Sequence, residues 1–212
     1  MSSICSRLHQ HFNGMERFDF SFALSRIPLD GIYVLFERGE ISHDVNRIVR
    51  VGTHTGSGQL PFRLRQHFIT ENKDRSIFRK NVGRALLHRA SDPFLKDWEV
   101  DLTTRQAREL HGARIDLQKL QATEREVSYY IRERFSFVVF AETDKARRLE
   151  LETKIIATVS LCDECKPSPG WLGHQSPNQR IRESGLWLVN GLYKQPLSET
   201  EFHGFTDQLK AS

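Results

Sequence analysis

The sequence is sparing with several things. Among 212 residues only Cys5, Cys162 and Cys165 are cysteines, too few for the disulfide framework of a small secreted domain. No stretch reaches the ~18 consecutive apolar residues that a bilayer-spanning helix needs, so a membrane span is excluded. The opening residues, Met1 to Phe12, lack the apolar core of a secretory signal, and a reducing cytoplasm is the expected location. Internal repeats and low-complexity tracts are missing too, which argues against solenoids and disordered tails. Charge of one sign is only slightly in excess: 31 Lys and Arg against 27 Asp and Glu, a formal +4. That balance permits a nucleic-acid partner without demanding one.

Cys162-Asp163-Glu164-Cys165 has C-x-x-C spacing. A zinc site needs two more ligands, no second C-x-x-C exists, and His174 is the nearest candidate in the chain. Ordinary loop cysteines are therefore the expectation. With 38% hydrophobic and 27% charged residues, the composition is that of a globular domain with extensions.

Ile32 to Glu37 is rich in β-branched and aromatic residues and predicts a strand. Arg38 to Asn46 reads as a polar loop, and Ile48, Val49 and Val51 predict a second strand, giving a hairpin. Thr53 to Gly58 is a flexible loop by composition. Leu60, Leu64 and Phe68 then take up a helical period, followed by a second helix over about 76–89 that ends at Asp92-Pro93. Trp98 to Leu102 is expected to be a strand. Thr123-x-x-Glu126 is a capping-box pattern opening a helix with Val127, Tyr130 and Ile131 on one face. Phe135 to Phe140 predicts a third strand, Thr143 a cap for a helix reaching about Leu161, Lys166 to Ser176 a loop, and Ser198-x-x-Glu201 a short terminal helix. The class is α+β, a small three-stranded sheet flanked by helices. Residues 1–27 form an N-terminal extension, 28–190 the main domain with a basic helical insertion at about 72–90, and 191–212 a C-terminal helical extension.

The +4 is not evenly spread. Residues 63–90 hold Arg63, Arg65, Lys73, Arg75, Arg79, Lys80, Arg84 and Arg89 against Glu71 and Asp74 alone, a +6 segment on a −2 remainder. Arg75 and Arg79, and Lys80 and Arg84, are i,i+4 pairs, a spacing that shares a helix face and suits a phosphate backbone. The alternative is a solvated helix face. Arg63 and His67 are also i,i+4, a guanidinium and an imidazole able to bind phosphate and move a proton. Further on, Leu149, Glu152, Ile156 and Val159 follow helical spacing. A carboxylate in such a stripe is costly unless paired or metal-bound, whereas Glu150 can pair with Lys154. Trp171 and Trp187 are expected to pack the C-terminal part on the core, with base stacking as the alternative.

Gly31-Ile32-Tyr33, Arg50-Val51-Gly52, Leu60-x-x-Arg63-Leu64-x-x-His67 and Leu151-Glu152-x-x-Ile155-Ile156 follow one another in the order, and on the elements, of a known pattern. Over roughly residues 30–160 the chain resembles the GIY-YIG nuclease superfamily. The resemblance implies a metal-dependent DNA endonuclease acting in restriction or DNA processing. Tyr33 would help activate the attacking water and Arg63 would hold the scissile phosphate. His67 would assist proton transfer. Glu152 would anchor one divalent metal, Mg²⁺ or Mn²⁺. Arg50, His54, Arg65, Arg75, Arg79, Lys80 and Arg84 are the nucleic-acid-binding candidates.

Two departures stand out. The second-motif tyrosine is replaced, with Arg50 or His54 as substitutes. The late asparagine of the family has no match at position 164, leaving Asn178, or its rival Asn190, or no equivalent. The lost tyrosine also suggests a non-catalytic nucleic-acid-binding module, although joint retention of Tyr33, Arg63 and Glu152 argues for catalysis; a purely structural interaction protein is the remaining class. Cutting a palindrome on both strands would favour a homodimer, but nothing in the sequence reveals one.

Overall fold

The computed structural model describes residues 3–210, with side chains to 207, so residues 1–2 and 211–212 lie outside it. The architecture is α+β, a three-stranded antiparallel sheet of order β2-β1-β3 flanked by helices. β1 (Gly31–Ser42) is central, between β2 (Val45–Gly52) and β3 (Phe135–Ala141). No described helix is long and apolar enough to cross a membrane.

Both faces of the sheet are covered. Ile32, Val34 and Phe36 of β1 point to one side, toward α1 (Ile4–Asn13), α7 (Lys145–Ser160) and α9 (Glu199–Lys210). Tyr33 and Leu35 point to the other, toward α2 (Leu60–Phe68), α3 (Ile77–Arg89) and α6 (Leu117–Arg134). A strand buried on both faces reads as a continuous apolar run rather than an alternation, which is why Ile32 to Phe36 carried so strong a signal.

Several sequence expectations are corrected. Arg38 to Asn46 is not a loop: β1 runs on to Ser42 and the hairpin closes at His43-Asp44, with φ of 52° and 62°. Positive φ at both central residues is the two-residue turn that matches strand twist, reached here without glycine. Trp98 to Leu102 is not a strand. Trp98 ends a one-turn helix, α4 (Leu95–Trp98), and its indole donates to Lys80 O at 3.0 Å. The ring lies over Gly83, where a Cβ would stand 2.3 Å from Cζ2. Thr123 does not cap α6. Asp116 does, accepting from Lys119 N, while the Thr123 hydroxyl donates back to Lys119 O inside the helix. α7 is capped by Asp144, one residue past Thr143. Between α4 and α6 lies α5 (Arg105–His111), and past α7 the loop around Trp171 leads to α8 (Gln179–Ser184).

The tryptophans do pack. Trp171 and Trp187 are 3% and 0% exposed, and both indoles donate to Glu37 Oε2, at 2.9 and 2.8 Å. Tyr130 donates to the other oxygen of the same carboxylate.

Candidate active site

Tyr33 sits on the α2/α3 face of β1, and two glycines make its position available. Gly52 faces it across the β1–β2 ladder. A Cβ on Gly52 would lie 2.3 Å from Tyr33 Oη, so the phenol crosses the strand only because no side chain is there. On the other flank, a Cβ on Gly31 would lie 2.1 Å from Phe140 O, where β1 and β3 approach closely.

Behind Tyr33 stands His67, on α2 and fully buried. Its Nε2 is 2.7 Å from Tyr33 Oη and its Nδ1 is 2.6 Å from Ser76 Oγ. Ser76 is the N-cap of α3 and accepts from Arg79 N at 3.2 Å. Burial pushes His67 well below the ordinary imidazole range, and the cations Arg63, Arg50 and Arg79 push the same way. Arg50, on β2, donates through Nε to Tyr33 Oη at 3.4 Å and through Nη1 to Trp187 O.

Glu152 completes the group. The helical stripe through it is not the core face of α7. Leu151, Ile155 and Val159 are buried against the sheet, whereas Leu149, Glu152 and Ile156 line a cleft of about 430 Å³. Tyr33, Arg50 and Arg63 line the same cleft, and Glu152 is the one acid among its lining residues. No cation lies within ion-pair distance of Glu152 among the described residues. Burial raises its pKa, while nearby Arg50, a hydrogen bond from the Thr53 amide, Arg63 and Arg148 oppose the rise. Arg63 donates through Nη1 to Gln66 Oε1 at 3.1 Å and Arg75 O at 3.0 Å.

Other candidates are placed elsewhere. Asn178 caps α8, accepting from Arg180 N, and does not line the cleft; Asn190 does. His54 lines the cleft but is spent inside the protein: Nδ1–H donates to Gly56 O at 2.6 Å and Nε2 accepts from Gly31 N at 3.2 Å. The basic stripe of α3 is largely consumed. Arg79 is fully buried, 2.8 Å from Glu124 and 2.7 Å from Ser128 Oγ. Arg84 makes a two-pronged pair with Glu99 at 2.6 and 2.5 Å, and Lys80 Nζ donates to Glu99 O at 2.8 Å. Arg65 and Arg75 stay exposed and line a concavity beside Arg63 with Phe62 and Gln66. Sequence reasoning misses two contributors: Ser76, whose role is visible only through His67, and Lys194, which lines the cleft with Asn81.

A hard divalent cation fits this chemistry. Mg²⁺ commonly takes one or two protein carboxylates and fills its other positions with water and substrate phosphate. Glu152, solvent-accessible in the cleft and outside any ion pair, offers one.

A search of curated proteins and a search of solved structures each give no match. The family model described as GIY-YIG domain matches residues 1–209. With Gly31-Ile32-Tyr33 and Arg50-Val51-Gly52 paired across one hairpin, and with nearly the whole chain matched, this protein belongs to the GIY-YIG nuclease superfamily.

Proposed function

We propose that the chain is a divalent-metal-dependent DNA endonuclease that hydrolyses phosphodiester bonds in restriction or DNA processing. The observation that carries this reading is the convergence of Tyr33, Arg63 and Glu152 on one cleft, with Tyr33 held from behind by a neutral His67.

The hydrogens order themselves. In this reading Ser76 Oγ accepts from the Arg79 amide and gives its own proton to His67 Nδ1. His67 then carries its proton on Nε2 and donates to Tyr33 Oη. Arg50 Nε donates to the same oxygen. Two donors aimed at Oη stabilise negative charge there. His67 is thus a donor rather than a proton store, because an imidazolium buried among three arginines is disfavoured. Tyr33 activates the attacking water through Oη, which the two donors polarise. Arg63, half-exposed on the cleft wall, holds the phosphate and stabilises the charge that builds on it. Glu152 would hold Mg²⁺ or Mn²⁺, which when bound supplies Lewis-acid polarisation of the phosphate.

DNA follows the cations the fold leaves exposed, from Arg63 across Arg65 and Arg75. Arg50 contributes inside the cleft rather than along the duplex.

The test is plasmid cleavage with Mg²⁺ or Mn²⁺. Wild type nicks or cuts supercoiled DNA, and Glu152→Ala and Tyr33→Phe each lower the rate by roughly 10²-fold or more while DNA binding is largely kept. The rate shows no inflection near the ordinary histidine pKa of ~6.5, because burial and neighbouring arginines hold His67 well below it. Binding without cleavage on supercoiled, branched and methylated DNA would establish the binding-module reading instead.

A further inference from the structure

Three cysteines and a histidine that the sequence holds far apart meet at the far end of α7. Cys5 lies on the first turn of α1, His43 in the β1–β2 turn, and Cys162 and Cys165 just past α7. The Cys5 and Cys165 sulfurs are 3.3 Å apart. His43 Nε2 stands 3.3 Å from Cys165 Sγ and 3.5 Å from Cys162 Sγ, so it bridges the two thiols. A tetrahedral zinc ion, with Zn–S of ~2.3 Å and Zn–N of ~2.0 Å, has S···N edges of about 3.5 Å and S···S edges of about 3.8 Å. The histidine–sulfur distances already have that size, and the sulfur pair needs to open by about half an ångström.

The surroundings are those of a ligand set. Glu164 Oε2 lies 3.0 Å from His43 Nδ1, which fixes the tautomer that turns the Nε2 lone pair toward the sulfurs. Cys165 N donates to Cys162 O at 3.2 Å, closing the C-x-x-C turn, and both thiols stand within 3.5 Å of His43 Nε2. The Glu164 amide is a donor suited to a Cys162 thiolate, and Ser42 Oγ, 3.4 Å from Cys165 Sγ, shares its one proton with Glu164 O at 3.0 Å.

His9 is the competing fourth ligand, since the donor atoms of Cys5, His9, His43 and Cys165 lie within 4.8 Å of one another. Both its nitrogens are committed, however. Nδ1–H donates to Cys5 O at 2.9 Å and Nε2 accepts from Ile48 N at 3.1 Å. His174, the nearest histidine in sequence, is turned to Ser168 O at 3.0 Å and packs on Trp171.

We propose that Cys5, His43, Cys162 and Cys165 form a structural zinc site. Thiolate and imidazole select zinc over the hard Mg²⁺ suited to Glu152. Four protein ligands leave no open position, the mark of a structural centre rather than a catalytic one. Binding displaces the three thiol protons. The ion pins α1 and the hairpin tip to the end of the helix that carries Glu152. From Glu152 the helix runs on for eight residues to Ser160, ~12 Å, before the chain reaches Cys162, so this centre is distinct from the cleft and its test is independent of nuclease activity.

The experiment measures zinc in the full chain, purified under reducing conditions without chelator. The expected content is about one zinc per chain, falling about tenfold or more in Cys162→Ser and His43→Gln and retained in His9→Gln. Cobalt-substituted wild type should show tetrahedral d–d bands and charge transfer from three thiolates, a readout that survives if a variant fails to fold. Wild type that binds neither zinc nor cobalt overturns the proposal. So does an intact mass two hydrogens light, reporting a Cys5–Cys165 disulfide in the isolated protein. Zinc kept by Cys162→Ser but lost from His9→Gln overturns the ligand set.

Discussion

A methyl group at position 52 would occupy the space of the Tyr33 phenol, 2.3 Å from its oxygen. Gly52→Ala is therefore expected to lower cleavage at least as far as Tyr33→Phe. It should also destabilise the fold by about 1–3 kcal/mol, the usual size of an overpacking error. Gly31→Ala, which meets a backbone carbonyl instead, should cost stability through the β1–β3 pairing. Thermal unfolding and plasmid nicking, measured together, separate the two. Glu152 behaves in the opposite sense. Burial raises its pKa, so its charged form is disfavoured in the fold, and stability falls as pH rises through the folded value. Glu152→Gln removes that penalty. It should abolish cleavage yet raise Tm at neutral pH without metal, by an amount on the order of 2–4 °C, which is about 1 kcal/mol for a chain of this length. Mn²⁺ should raise the Tm of wild type and leave that of the variant unchanged. These motif residues were legible because each obeys a local rule: a glycine where backbones or rings crowd, a carboxylate among apolar neighbours. Ser76 obeys no such rule. Its hydroxyl serves both a helix cap and His67, and only folding brings the two together.

At the scale of elements, α3 shows where linear charge misleads. Its cations looked unopposed because Glu99 and Glu124 lie outside the segment in sequence; the fold brings both back onto it. Arg79→Ala should act on stability, by about 3–5 kcal/mol, since it strands Glu124 in the interior. Arg75→Ala and Arg65→Ala should leave Tm nearly unchanged. Each should weaken DNA binding and reduce the slope of log affinity against log salt by about 1. A salt titration of DNA binding beside a urea melt reads both arms; a large affinity loss for a well-folded Arg79 variant would contradict the assignment. α7 teaches a related lesson. Its period was legible, but the face it buries was not, because a 3-4 spacing fits both Leu151-Ile155-Val159 and Leu149-Glu152-Ile156. The sheet takes the first and the cleft the second. Likewise Trp98 carries strand-like neighbours, yet the space over Gly83 decides for a helical turn.

Across the whole molecule, one face of the sheet holds two buried titratable groups whose shifts oppose each other. His67 is lowered by burial and by neighbouring arginines. A base with a depressed pKa lends stability above its unfolded value of ~6.5 and loses it as pH falls toward the folded value. Glu37 is raised by burial, partly relieved by Trp187, Tyr130 and Trp171. An acid with a raised pKa lends stability below its unfolded value, which is lost as pH rises through the folded one. The two limbs slope oppositely: falling pH costs stability through His67 below ~6.5, and rising pH costs it through Glu37 above ~4.3. Each limb can be reduced separately. In Glu37→Gln the amide oxygen can keep both indole donors while its NH₂ donates to Tyr130, whose hydroxyl proton turns to another acceptor. That variant should reduce the alkaline limb to the share carried by Glu152 and leave the acid limb intact. His67→Gln should flatten the acid limb, with a slope change of up to about 1.4 kcal/mol per pH unit for one proton, and should lower cleavage by loosening Tyr33. Urea unfolding across roughly pH 4–8 measures both. Unchanged limbs in the two variants would place the pH dependence of the fold elsewhere in the chain.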